Sequence, residues 1–111
     1  MGLFGFFGTV QRRALTHAAV HDCNLEFNKL MAYSAKFAYR QPQDYEKRIM
    51  LDYEGKIQAC LAAIKKEMTT VLKREDLSMS VSNYDGGNIS LELYYDTMIR
   101  IMKDFRKTHF S

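Results

Sequence analysis

The sequence predicts a mainly α fold with a small β part: a long antiparallel helical hairpin, then a β-hairpin and a C-terminal amphipathic helix. Three observations carry this expectation. Apolar residues recur at spacings of three and four over two long stretches. Pro42 is the one proline and lies between those stretches. Strict alternation then replaces the helical period from Leu77 to Tyr95. An all-α three-helix bundle is the alternative, because Leu91, Tyr94, Met98, Ile101 and Phe105 also keep helical spacing.

Residues 1–8 form a Gly/Phe-rich apolar segment, with Leu3, Phe4, Phe6 and Phe7 set among Gly2, Gly5 and Gly8. Each large apolar group gains ~1.5–3 kcal/mol when fully covered, so the segment is expected to find a surface. Its own core, a dimer interface, a separate partner and a membrane surface all remain open. N-myristoylation is disfavoured, because the position that needs Ser or Thr holds Phe6.

Thr9 caps a predicted helix over 9–40 whose core stripe is Val20, Cys23, Phe27, Leu30, Met31, Phe37 and Ala38, extended towards the start by Leu15 and Ala19. Asn24, Asn28 and Lys29 are expected to face water. After Gln41–Asp44, with Asp44 as its cap, a second helix is predicted over 45–74. Its stripe runs through Met50, Tyr53, Ile57, Cys60, Leu61, Ile64, Met68, Val71 and Leu72, and the short connection makes the two helices antiparallel neighbours.

Leu77, Met79 and Val81 alternate with serines, as do Ile89, Leu91, Leu93 and Tyr95 with Ser90, Glu92 and Tyr94. Between them Asn83–Asn88 carries Asp-Gly turn chemistry, so a β-hairpin is predicted over 77–94. Met98, Ile101, Met102 and Phe105 then mark the inward face of a helix over 96–108.

A chain of 111 residues, 47% hydrophobic and 26% charged, is expected to fold as a single domain over 1–111. A formal net charge of +3 is mild for a dedicated nucleic-acid binder. No apolar run reaches the ~20 residues of a membrane span, and no secretory signal is recognisable, so a cytoplasmic location is expected. Cys23 and Cys60 lie on the apolar stripes of the two long helices. They read as buried free thiols in a reducing compartment, with a bridge open if the helices bring them together.

The catalytic inventory is thin. His17 and His21 stand one helical turn apart, the spacing of a shared metal, but Ala18 replaces the Glu of the hydrolytic zinc motif and no third ligand is at hand. They read instead as flanking histidines of an amphipathic helix. No serine elbow, redox cysteine pair or phosphate loop is present. No enzymatic activity, cofactor or metal is therefore expected.

The candidate contact residues are Leu3, Phe4, Phe6 and Phe7, then Tyr39 and Tyr45 at the helix-pair tip, Tyr84 at the hairpin tip, and the basic row Arg100, Lys103 and Lys107. Exposed tyrosines are good interface anchors. The expected function is a small protein–protein interaction module, as a homo-oligomer or as an adaptor or inhibitor of a partner. A peripheral membrane protein using residues 2–8 and Arg12-Arg13, or a weak nucleic-acid or phosphate binder through the basic row, is the alternative.

Overall fold

A computed structural model describes the backbone from Gly2 to Phe110 and the side chains from Arg12 to Phe110. Helix α1 spans Gly2–Ser34 and is followed by a 3-10 turn, Ala35–Ala38. Helix α2 spans Asp44–Thr70, a second 3-10 turn covers Arg74–Ser78, strands β1 (Ser80–Ser82) and β2 (Asn88–Ser90) pair, and α3 runs Leu91–Phe110. The molecule measures 59 × 22 × 19 Å, with the α1–α2 hairpin as its long axis.

One core runs along the hairpin. Val20, Cys23, Phe27 and Leu30 of α1 meet Met50, Ile57, Leu61 and Ile64 of α2, and Leu91, Tyr94, Met98, Met102 and Phe105 of α3 close over them with Val81. The predicted stripes of α1 and α2 are thus buried along their middle turns, while at their ends Leu15, Ala38 and Val71 are exposed. Period alone settles them, because each runs for many turns without an interruption.

The boundaries differ from expectation at several points. Helix α1 begins at Gly2, with Thr9 inside it rather than capping it, since extending a formed helix adds a hydrogen bond for each residue fixed. Its α-helical part ends at Ser34, whose hydroxyl bonds back to Met31 O, and the 3-10 turn takes the chain on to Tyr39. Helix α2 starts at Asp44, with Gln43 and not Asp44 at the cap position, and it stops at Thr70, not Arg74. Both Val71 N and Leu72 N turn back to Glu67 O, and the β-branched Thr69, Thr70 and Val71 are poor helix formers at this end.

The β-hairpin is shorter than predicted. Val81 pairs with Ile89, Ser80 with Ser90 and Ser82 with Asn88, and pairing ends there. The turn Asn83–Gly87 closes through Asn83 N to Gly87 O at 2.8 Å, with Gly86 at a φ of +91° that favours glycine. Beyond Ser90 the alternating reading fails. Leu93 N bonds to Ser90 Oγ at 3.3 Å, so Ser90 caps α3 and the helix begins five residues early. Leu93 is consequently exposed, while Tyr94, read as an outward strand residue, is fully buried.

Asn24 is a further correction. Expected in water, it lies in the core, donating from Nδ2 to Ser82 O at 2.9 Å and accepting from Tyr94 OH at 2.6 Å. A buried amide is tolerated when its hydrogen bonds are made, and these two tie the β-hairpin and α3 to α1.

Candidate interaction surface at the helical-hairpin tip

Where α1 turns into α2, the chain must reverse direction within a few residues. Gln43 N donates to Glu46 Oε1 at 2.9 Å, the carboxylate half of a capping box, and this starts α2. The same carboxylate accepts Arg40 Nη1 at 2.8 Å and Nη2 at 2.7 Å, a two-pronged pair, and Lys36 Nζ lies 3.4 Å away. Glu46 is only 1% exposed. Hydrogen bonding from Arg40, then from Gln43 N, holds its pKa down at about 2 against an ordinary 4.5. One buried anion thereby fixes both sides of the reversal.

Aromatic rings gather around this clamp. Tyr33 and Phe37 meet edge to face at 5.8 Å, and Tyr33 approaches Tyr53 of α2 at 6.3 Å. Lys36 Nζ sits 4.0 Å from the Tyr33 ring centre, and the Arg40 guanidinium lies 5.1 Å from that of Phe37. Next to this packed layer, Tyr39 is 96% exposed and Tyr45 54% exposed, and Ile49 is exposed one turn further along α2. The two tyrosines named from the sequence are therefore both on the surface, at either end of the reversal that the Glu46 clamp holds.

The other candidates are placed differently. Side chains of Leu3, Phe4, Phe6 and Phe7 lie outside the described residues. Tyr84 is not an exposed anchor: its ring packs edge to face on Phe27 at 5.0 Å and it is half-buried, because Asn28 Nδ2 holds Tyr84 O at 3.4 Å and draws the turn onto α1. Arg100, Lys103 and Lys107 are exposed on the outer side of α3. They line an open groove of about 490 Å³ with Asp96, Ile99, Asp104 and Arg106. Arg106 is committed to α2, where its Nε contacts both oxygens of Glu54 at 3.0 and 3.1 Å.

His17 and His21 are exposed, and among the described residues no group of three His, Cys, Asp or Glu side chains comes together to hold a metal. Cys23 and Cys60 are free thiols. Burial pushes Cys23 up to about 11 and also raises Cys60, so both thiols stay protonated at neutral pH and are poor nucleophiles. Tyr94 is likewise pushed up by burial and remains a phenol.

The buried acids Glu46, Glu54 and Asp76 are the residues that sequence reasoning missed. A signal existed for Glu46, which stands three residues after Gln43 at the capping-box position. No family model, curated protein or solved structure matches the chain. Among the described residues no helix is long and apolar enough to cross a membrane.

Proposed function

We propose that the chain is a non-enzymatic protein–protein interaction module that makes its contact through the tip of the helical hairpin. One observation carries the reading: two exposed tyrosines, Tyr39 and Tyr45, flank a chain reversal locked by buried Glu46 and its partner Arg40. A tyrosine offers a large amphipathic contact at small entropic cost, and a fixed backbone removes most of the ordering that binding otherwise demands. Lys36 and Arg40 border the rings and add positive charge at the rim. The partner is either a second copy of the chain or a separate protein on which the module acts as adaptor or inhibitor.

Light scattering on a sizing column distinguishes the two forms. Self-association predicts a defined oligomer for the native chain and a monomer for Tyr39→Asp/Tyr45→Asp. A monomeric mass for both proteins would rule out self-association through the tip and leave only the separate partner.

A further inference from the structure

At the end of the α1–α2 hairpin opposite the tip, the fold assembles a cluster of cations that lie far apart in sequence. Asp76, in the 3-10 turn after α2, is 0% exposed. It accepts Arg12 Nε and Nη2 at 3.2 and 3.1 Å, Arg13 Nε at 2.7 Å, and the backbone N of Lys73 at 2.8 Å. These bonds bring Arg12 and Arg13 of α1 beside Lys73 and Arg74. One carboxylate is shared by two guanidinium groups, and exposed Glu75 is the other acid of this turn, so positive charge is in excess. Arg13 remains 42% exposed on its side chain, and Lys73 and Arg74 are exposed with no ion pair to a described residue.

This collar sits at the foot of the Gly/Phe-rich segment. Helix α1 runs unbroken from Gly2 through Arg12 and Arg13, so the backbone of the ten residues Gly2–Gln11 covers ~15 Å along its axis. That length approximates one leaflet of the ~30 Å hydrocarbon core.

We infer that this end of the molecule docks on an anionic lipid surface, with segment 2–8 entering the interface and Arg13, Lys73 and Arg74 meeting the headgroups. The inference uses a surface distinct from the tyrosine tip and does not rest on it. Charge complementarity names the occupant: Arg13, Lys73 and Arg74 stand at the base of a helical stretch whose sequence carries Leu3, Phe4, Phe6 and Phe7, a match for a surface that is anionic at its edge and apolar within. The sequence supplies Arg12-Arg13 behind the apolar segment. Only the fold adds Lys73 and Arg74, by way of Asp76.

Flotation of the full chain with vesicles tests this. Vesicles of phosphatidylcholine with about 30 mol% phosphatidylserine should carry the protein upward, and pure phosphatidylcholine vesicles should not. Lys73→Glu/Arg74→Glu, with its helical content checked by circular dichroism, should bind at least about thirtyfold more weakly. Phe4→Ser/Phe7→Ser, which keeps every charge, should also lose binding. Raising salt to about 0.5 M should release the native chain, a readout independent of any variant's folding. Absence of binding to the anionic vesicles, equal binding to the neutral ones, or full binding by either variant would overturn the inference. Self-association through segment 2–8 without vesicle binding would overturn it as well.

Discussion

Tyr94 of α3 and Asn24 of α1 meet across 70 positions of sequence, phenol to amide oxygen, at 2.6 Å in the core. Asn24 passes the connection on to Ser82 O of β1. A single amide thus joins a helix, a strand and a second helix. Tyr94→Phe leaves Asn24 Oδ1 buried with no donor, at an expected loss of about 1–2 kcal/mol. Asn24→Ala strands two partners, the Tyr94 hydroxyl and the Ser82 carbonyl, and should cost about 2–3 kcal/mol. Urea unfolding measures both. Equal stability of Tyr94→Phe and the native chain would mean that this bond contributes nothing net.

The Glu46 clamp predicts a pH dependence with a definite sign. Its carboxyl titrates at about 2 in the folded chain against an ordinary 4.5, so the folded state binds the proton less readily than the unfolded one. The stabilisation is complete above the ordinary value and fades as pH falls from about 4.5 towards 2. Asp76, held low by Lys73 N and then by Arg13 and Arg12, adds to the same trend. Melting temperature followed between neutral pH and pH 2 should fall steeply in that window. Glu46→Gln should start lower at neutral pH and fall less steeply. An unchanged slope would remove the clamp from the account.

Two glycines call for opposite outcomes. Gly55 lies on the exposed side of α2, and a Cβ there meets nothing within 4 Å. Gly55→Ala should therefore stabilise by about 0.5–1 kcal/mol, by reducing the freedom of the unfolded chain. Gly86 also has open space, but its φ of +91° disfavours any L side chain. Gly86→Ala should destabilise by about 1–2 kcal/mol. Thermal melts of both variants check the pair, and a shift of the same sign in each would contradict the backbone argument.

Elements fixed by a long period were readable in the chain, and elements fixed by a distant partner were not. Met50, Ile57, Leu61 and Ile64 recur on α2 whatever packs against them, and all four are buried. Leu91–Tyr95 satisfies both a strand and a helix reading. The start of α3 is decided by the Ser90 cap, a local signal that the competing alternation overrides, and by Tyr94's partner on α1, which no local pattern shows. The stripe of the first helix leaves Asn24 facing away, and only Ser82 and Tyr94 reveal why it is inside. At the tip, Tyr39 and Tyr45 were legible because they bracket Pro42. The aromatic layer beneath them depends on Tyr53 arriving from α2, and Tyr84 was misplaced because its neighbour Phe27 comes from α1.

Contact through the tip, and not through the helix sides, is the proposed mode of binding. Its most direct test is a photo-crosslinking residue placed at Tyr39 in the living source cell, compared with the same residue at exposed Gln58 on the side of α2. One discrete adduct is expected from position 39, lost when Tyr45→Asp is added, and no such adduct from position 58. Equal labelling from both positions, or none from position 39, would contradict it.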